Sequence, residues 1–219
     1  MTRTVLFDLD GTLVDTEKYY LRFWKEAAAS FGFVLEDKQA LSLRSLGAVY
    51  AKERFFQWFG PDFDYPAVRE KRRKLMEAYL EQNGGVTLKN GVKPLLEYLN
   101  GKGLRAAVVT ATPPDRTYLY LEHTGILGAF ERVISAVMVK KGKPAPDIYL
   151  YACEEMGVSP AECMAVEDAP TGVISAYTAG CHVVMIPDLT GPDDTLSPML
   201  TACVNAPDEL IPLLEGGIL

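Results

Sequence analysis

The chain has 219 residues, of which 48% are hydrophobic and 23% are charged, a balance typical of a globular protein with one large domain or two smaller ones. The formal net charge of −7 argues against general nucleic-acid binding. No apolar run approaches the roughly 20 residues of a membrane helix, so we expect no membrane association.

The first predicted element is a buried strand over residues 5–9, because its start, Val-Leu-Phe, is apolar and rich in β-formers. Asp8 and Asp10 are two positions apart, so in an extended chain their side chains point the same way. We expect both carboxylates at the carboxyl end of this strand, where open α/β sheets bind ligands. The alternative is that both aspartates are turn or cap residues.

A block of helices without a strand pattern follows. Apolar residues at helical spacing predict four helices, at about 15–31, 37–43, 48–60 and 66–83. We interpret the basic run at 69–74 (Arg69, Lys71, Arg72, Arg73 and Lys74) as the solvated face of the fourth helix; the alternative is that it attracts anionic substrates. The aromatic residues at 55–59 are interpreted as the core of this block.

From residue 91 onward, helices and strands alternate. The predicted strands are at 105–110, 133–136, 164–167, 182–186 and 202–204, and the predicted helices at 92–99, 116–124, 147–156, 172–179 and 207–214. This alternation predicts an α/β fold with a doubly wound, mainly parallel sheet. The first strand must join this sheet, so the helical block is an insertion. We predict a core domain over 1–14 and 87–219, a helical cap over 15–86, and hinges at 13–16 and 83–87.

Two polar side chains follow further predicted strands. Thr110 ends a strand, and its hydroxyl, together with the backbone N–H groups of Ala111 and Thr112, could hold phosphate oxygens; the alternative is a plain helix-capping threonine. Lys143 precedes Pro144 and is therefore extended. Its ammonium group could offset nearby carboxylates and a phosphoryl group, or it could be a solvated loop lysine, as we expect for its neighbours at 140 and 141.

A second acidic pair, Glu167 and Asp168, follows another predicted strand. Carboxylates held together need a shared proton or a cation, and oxygen ligands favour Mg²⁺. Asp168 could also cap the next helix. Taken together, four strand ends offer two acidic pairs, a hydroxyl and a lysine, which are the groups that phosphoryl transfer requires.

The cysteines form no short-spaced pair and stand in apolar surroundings; they are Cys153, Cys163, Cys181 and Cys203. We expect reduced core thiols in a cytoplasmic protein without a signal peptide. A zinc site is not expected, because no Cys-x-x-Cys occurs and the two histidines lie far apart.

Four features of the sequence resemble the motifs of the haloacid-dehalogenase-like superfamily. They are Phe-Asp-Leu-Asp-Gly-Thr-Leu-Val-Asp-Thr (7–16), Thr110 at a strand end, Gly-Lys-Pro-Ala-Pro-Asp (142–147) and Glu-Asp-Ala-Pro-Thr-Gly (167–172). Their order and the helical insertion resemble the phosphatase/β-phosphoglucomutase-like branch. The resemblance covers essentially the whole chain and is weakest in the cap, where substrates are selected.

The resemblance implies a Rossmann-like core and a phosphoric monoester hydrolase. Asp8 would attack phosphorus and become an aspartyl phosphate, while Asp10 would protonate the leaving oxygen and then activate water. Thr110 and Lys143 would hold phosphoryl oxygens. The implied Mg²⁺ ligands are Asp8, Asp168, the backbone carbonyl of Asp10, and Glu167 directly or through water. We expect the partner to be a small phosphorylated metabolite, such as a sugar phosphate, and the protein to be a monomer or weak dimer.

Three alternatives compete with this interpretation. Dehalogenating relatives need neither an acid at Asp10 nor a metal site. In β-phosphoglucomutases a histidine stands at the start of the cap, where this chain has Tyr19 and Tyr20, so hydrolysis is favoured over mutase activity. The third alternative, a phospho-receiver domain, is disfavoured, because its phosphoacceptor is not on the first strand with an insertion behind it.

Arg44 in the cap has two possible roles. It could bind a distal anion of the substrate, or it could be a solvated arginine at a helix end.

Overall fold

A computed structural model of the protein describes residues 4–217. Within this range six strands form one parallel sheet in the order β3-β2-β1-β4-β5-β6, which confirms the predicted α/β fold. The strands are β1 (Thr4–Phe7), β2 (Arg105–Thr110), β3 (Arg132–Ser135), β4 (Cys163–Glu167), β5 (His182–Met185) and β6 (Ala202–Cys203). The first strand therefore lies in the middle of the sheet, between strands that follow it much later in the chain.

Helices cover both faces of this sheet. They are α5 (Val92–Gly101), α6 (Pro114–His123), α7 (Asp147–Met156), α8 (Pro170–Ala179) and α9 (Leu210–Glu215). Val5 and Phe7 of β1 pack into one hydrophobic cluster with residues of α5, α6 and α9. Leu6 points to the other face and packs with residues of α7 and α8. Because successive strand residues alternate between faces, this double burial explains why the strand reads as a continuous apolar run.

The helical block lies between β1 and β2 in the chain. Its helices are α1 (Glu17–Ala29), α2 (Asp37–Leu41), α3 (Ala48–Phe59) and α4 (Tyr65–Gln82). A third hydrophobic cluster belongs to this block, and Phe55 is fully buried at its centre, stacked on Phe63 with ring centroids 4.9 Å apart. The predicted aromatic core is therefore confirmed. The block will be called the cap; its boundaries at 15 and 86 remain a prediction.

The two connections between the cap and the sheet run side by side. The Asp15 N–H donates to the carbonyl oxygen of Thr87 at 2.9 Å, and the Lys89 N–H donates to that of Leu13 at 2.9 Å. Gly84 has φ +79°, a left-handed conformation that glycine adopts without the penalty of a side chain. The predicted hinges are therefore neighbours in space, and their role as hinges stays a prediction.

Three predictions from the sequence are wrong. The first helix is predicted to extend to about residue 31, but α1 ends at Ala29 and Phe31 is 44% exposed. Arg72 is not on the solvated face of α4: its guanidinium carbon lies 4.8 Å and 4.6 Å from the ring centroids of Tyr20 and Trp24. Cys203 is exposed, since β6 is the short edge strand, whereas the other three cysteines are buried; all four thiols are free.

Two helices begin without a side-chain hydrogen bond at their N-cap position. Thr16 holds this position in α1, but its hydroxyl makes no capping hydrogen bond. Pro146 holds it in α7. No helix within residues 4–217 combines the length and the apolarity needed to cross a bilayer.

Candidate active site

The carboxyl ends of the central strands converge on one edge of the sheet. Phe7 lies opposite Val108 of β2 and Val166 of β4 in parallel register. Asp8 follows directly, and its N–H donates to the carbonyl oxygen of Val166 at 2.9 Å. Residues that follow these three strands are therefore brought together by the register alone.

Lys143 lies at the centre of this edge. It is 0% exposed and its Nζ donates to Asp8 Oδ1 at 2.7 Å and to the carbonyl oxygen of Val109 at 2.9 Å. The same Nζ pairs with Glu167 Oε1 at 2.6 Å. Burial by itself lowers the pKa of Lys143, but the attraction of Asp8 and Glu167 outweighs it, and the pKa lies above its ordinary value. The solvated-loop alternative is wrong for Lys143, whereas Lys140 and Lys141 are exposed as predicted.

Three carboxylates form the acidic cluster of the site: Asp8, Glu167 and Asp168 each present an oxygen within 4.8 Å of the others. Among the described residues, Glu167 Oε2 and Asp168 Oδ1 are buried without a hydrogen-bond partner. Burial and the charge of Asp8 raise the pKa of Asp168 well above its usual range. For Glu167, burial raises the pKa to about 7, although Lys143 opposes the shift. Unpartnered hard oxygens at this spacing fit a divalent cation such as Mg²⁺.

Asp10 lies beside the acidic cluster but is not one of its three members. Its two carboxylate oxygens accept hydrogen bonds from the hydroxyls of Thr16 and Thr112, each at 2.6 Å. Burial raises the pKa of Asp10, and Asp8 adds to the shift, although the two hydroxyls oppose it. A carboxyl group with a raised pKa, fixed on both sides, suits proton transfer. Any metal contact of Asp10 would have to use its backbone carbonyl, as the resemblance implies.

Thr110 ends β2 inside the site, and its buried Oγ1 accepts a hydrogen bond from the Thr112 N–H at 3.0 Å. One of the two amides predicted to hold phosphate is therefore already used within the turn. The Thr110 hydroxyl hydrogen and the Ala111 N–H remain as the donors of this turn, and Ala111 lines the cavity. The plain capping role is not observed, because Pro113 holds the N-cap position of α6.

The cap reaches the acidic cluster through the loop after α2. Ser45 Oγ donates to Asp8 Oδ2 at 3.2 Å, and the Gly47 N–H donates to the carbonyl oxygen of Lys143 at 2.8 Å. A Cβ at Gly47 would lie 3.1 Å from the Cα of Gly142, so a side chain at this position would crowd the neighbouring backbone. The cap loop thus packs directly on the residues around Lys143.

Arg44 is drawn into the site rather than solvated. It is 5% exposed, its Nη1 lies 3.5 Å from Asp168 Oδ2, and its Nη2 donates to Thr190 Oγ1. Thr171 Oγ1 donates to the Arg44 carbonyl oxygen at 2.7 Å. The solvated alternative for Arg44 is therefore wrong, although its Nε donates to the carbonyl oxygen of Leu41, the last residue of α2, at 3.3 Å. Contact with a distal anion remains a prediction, and in this structure its charge faces Asp168.

The sequence interpretation missed several residues of the site. Glu17 is 3% exposed and lines the cavity; burial, together with Asp168 and Asp10, raises its pKa well above its usual range. Tyr149 Oη donates to Glu167 Oε1. Neither residue could be identified from the sequence, because a glutamate is ordinary in the first turn of a helix and a tyrosine is ordinary on an apolar helix face. Ser45 could not be identified either, since serine is common in any loop.

A cavity of about 90 Å³ lies between the sheet edge and the cap. Its lining includes the acidic residues Asp8, Asp10 and Glu17. It also includes the basic residues Arg69, Arg72 and Arg116. The cavity therefore combines carboxylates with three guanidinium groups.

Replacing Gly172 by alanine should destabilise the protein and lower its activity. A Cβ at Gly172 would lie 1.9 Å from Glu167 Oε2, so either α8 or the carboxylate must move. We expect the free energy of unfolding to fall by about 1–3 kcal/mol, the usual cost of overpacking, as measured by urea denaturation. Gly101→Ala is the matched control, because a Cβ at Gly101 would have no neighbouring atom within 4 Å. Equal stability of Gly172→Ala and the wild type would contradict the close contact.

A sequence model of the haloacid dehalogenase-like hydrolases matches residues 2–180 of the chain. Hexitol phosphatase A from Escherichia coli (strain K12) is 36% identical over 190 residues, covering 87% of this chain and 84% of that protein. Fructose-1-phosphate phosphatase YqaB from the same strain is 30% identical over 182 residues, covering 82% and 94%. The structure of β-phosphoglucomutase from Clostridium difficile matches with a TM-score of 0.84 at 21% identity, covering 100% of this chain and 97% of that one, a likeness of fold alone.

Proposed function

Because the chain belongs to the haloacid dehalogenase-like hydrolase family, we propose that it is a Mg²⁺-dependent phosphatase acting through an aspartyl phosphate on Asp8. The family relationship supports the coarser statement, a phosphoric monoester hydrolase of the sugar-phosphate phosphatase or phosphoglucomutase-like kind. The observation that carries the finer proposal is the position of Asp8. It lies 2.7 Å from Lys143 at the carboxyl edge of the sheet, with Asp10 beside it.

The chemistry follows from the roles that these groups can take. In the first step an Asp8 oxygen bonds to phosphorus, the ester P–O bond breaks, and Asp10 gives its proton to the leaving oxygen. In the second step Asp10 takes a proton from water, the water oxygen bonds to phosphorus, and the bond to Asp8 breaks. Lys143 offsets the negative charge of the phosphoryl group throughout.

Mg²⁺ would be held by Asp8, Glu167 and Asp168, where it would offset the repulsion between the nucleophile and the phosphate. The unpartnered Glu167 and Asp168 oxygens support this role. The backbone carbonyl of Asp10 is a further proposed ligand. Tyr149 and Lys143 orient Glu167, since both contact its Oε1.

The cap is proposed to close over the first step and to open for exchange of product and substrate. Two contacts support this role: Ser45 with Asp8, and the Gly47 N–H with the Lys143 carbonyl oxygen. The proposed hinges at 13–16 and 83–87 would allow the movement. We further propose that the protein works in the cytoplasm on a small phosphorylated metabolite, as a monomer or weak dimer; the four free thiols support a reducing compartment.

A sugar-phosphate mutase is the second candidate, because β-phosphoglucomutase shares this fold. Tyr19 and Tyr20 stand at the cap start, where the mutases carry a histidine, and this difference favours hydrolysis. A panel of phosphorylated metabolites that includes glucose 1-phosphate separates the two. Release of inorganic phosphate supports the phosphatase, whereas conversion to glucose 6-phosphate without release supports the mutase. A single stoichiometric reaction with p-nitrophenyl phosphate would instead indicate a phospho-receiver.

Removal of divalent ions should stop turnover. With excess EDTA we expect kcat/KM for p-nitrophenyl phosphate to fall at least about 100-fold, because the carboxylates of the acidic cluster then repel the phosphate uncompensated. Added Mg²⁺ in excess of the chelator should restore the rate. Full activity in EDTA, after confirmation by elemental analysis that no metal is bound, would contradict the proposed metal site.

A further inference from the structure

The arginines that line the cavity have no role in the chemistry proposed above. Arg69 and Arg72 belong to α4 of the cap, and Arg116 belongs to α6 of the core. All three line the same cavity as Asp8 and Asp10. None of the three belongs to the acidic cluster, although Arg116 is close enough to Asp10 to oppose the rise of its pKa. Their guanidinium groups can therefore contact a part of the substrate beyond the reacting phosphate.

Arg72 is the central member of this group. Its guanidinium is packed against the rings of Tyr20 and Trp24, and its Nε is buried with no hydrogen-bond partner among residues 4–217. No carboxylate within the described chain forms an ion pair with Arg72. Arg72 as a whole is only partly buried, but burying its Nε without a partner is costly, and stacking on aromatic rings compensates only part of that cost.

The neighbouring arginines add to the excess of positive charge. Burial lowers the pKa of Arg72, and although Tyr20 opposes this, repulsion from Arg116 and Arg69 lowers it further. Arg116 has a partial partner, because its Nη2 lies 3.5 Å from Glu77 Oε1. By contrast, the side chain of Arg73 on the same helix is 39% exposed and pairs with Glu70 and Glu77. On this helix Arg73 therefore has anionic partners, whereas Arg72 has none within the described residues.

We propose that Arg72, with Arg69 and Arg116, binds a second anionic group of the substrate, so that the preferred substrate is a small phosphomonoester whose far end carries a carboxylate or a second phosphate. This inference rests on the proposed function, because it assigns the reacting phosphate to Asp8. Guanidinium groups bind both carboxylates and phosphates through paired hydrogen bonds. A substrate whose far end is a neutral polyol would leave the positive charge of Arg72 without a counter-charge.

The test compares three phosphate esters of the same short chain: glycerol phosphate with a neutral end, phosphoglycerate with a carboxylate end, and propanediol bisphosphate. For the wild type we expect kcat/KM to be at least about tenfold higher for one or both anionic-ended esters than for glycerol phosphate. Arg72→Met, which keeps the apolar bulk over the two rings, should remove this preference by raising KM about 10- to 100-fold for the anionic-ended esters. For glycerol phosphate the change should stay within about threefold.

Lys71→Met is the matched control, since Lys71 is an exposed cation one position away on α4. It should leave the preference unchanged. Arg69→Met replaces Arg72→Met as the test variant if the latter does not fold by circular dichroism. A wild type that prefers glycerol phosphate, or an Arg72→Met variant that loses the same factor on all three esters, overturns the proposal.

Calorimetry separates this inference from the proposed function. In the Asp8→Asn variant with Mg²⁺, propanediol bisphosphate should bind at least about tenfold more tightly than propanol phosphate, and Arg72→Met in the same background should remove the difference. If no ester and no p-nitrophenyl phosphate is hydrolysed by the wild type, the proposed function fails. Even then, the dissociation constants of propanediol bisphosphate and propanol phosphate decide whether the second anion is bound. Equal dissociation constants for the two ligands overturn the proposed anion-binding role of Arg72.

Discussion

Asp8→Asn should lower kcat by at least about 10⁴-fold while the fold is retained. An amide is a poor nucleophile, whereas the carboxylate needs no base to attack phosphorus. Asparagine has nearly the same shape, and its side-chain oxygen can still accept the hydrogen bond that Lys143 Nζ makes to Asp8 Oδ1 at 2.7 Å. Steady-state release of phosphate from p-nitrophenyl phosphate measures the loss, and circular dichroism checks the fold.

Asp37→Asn is the control for this loss. Asp37 is exposed at the start of α2 and pairs with Lys25 on the cap surface. It is not a member of the acidic cluster. Its variant should retain activity within about twofold, because exposed ion pairs contribute little. Wild-type turnover in Asp8→Asn would show that another group carries the phosphoryl transfer.

Lys143→Met should remove activity and also destabilise the protein. The buried Nζ contacts Asp8 at 2.7 Å and Glu167 at 2.6 Å, so its removal leaves two buried carboxylates without their cation. Breaking a buried ion pair from one side typically costs about 3–5 kcal/mol, and we expect a loss of this size in the free energy of unfolding measured in urea. The activity should fall at least about 100-fold, because the phosphoryl charge loses its nearest counter-charge.

Two further variants separate lost charge from lost packing. Lys141→Met, at an exposed position two residues earlier, should leave both stability and activity near the wild type. Adding Glu167→Gln to Lys143→Met should recover part of the stability, because one uncompensated carboxylate is then neutral. If the double variant is less stable than Lys143→Met alone, repulsion between buried carboxylates is not the source of the loss.

The sheet and its polar edge were predictable because local patterns determined them. The apolar run before Asp8, the alternation of strands and helices, and the carboxyl-end positions of Thr110 and Glu167 each follow from chain periodicity and parallel register. Lys143 is predicted at the same edge as part of a strand end; in the structure it lies in the loop that follows β3 (Arg132–Ser135), and this loop brings it to Asp8. These predictions did not depend on side-chain contacts between distant segments.

The cap side of the site was not predictable in the same way. Arg72 sits in a run of basic residues, and its helix has no strong amphipathic pattern that would tell the inward arginine from the outward one. Its burial is decided by the rings of Tyr20 and Trp24, which belong to another helix. Ser45 reaches Asp8 only through a left-handed backbone conformation, φ +50°, in the loop after α2. Such positions depend on tertiary packing, which periodicity does not encode.

The central place of β1 has a consequence for biosynthesis. Its neighbours are β2 and β4, and the latter begins at Cys163, roughly 160 residues after Thr4. At a translation rate of about 5–20 residues per second, the nascent first strand waits on the order of 10–30 s for its second neighbour. The cap helices, with their own hydrophobic cluster, leave the ribosome during that interval. During that interval β1 has at most one of its two neighbours, so one of its apolar edges stays unpaired until β4 has been made.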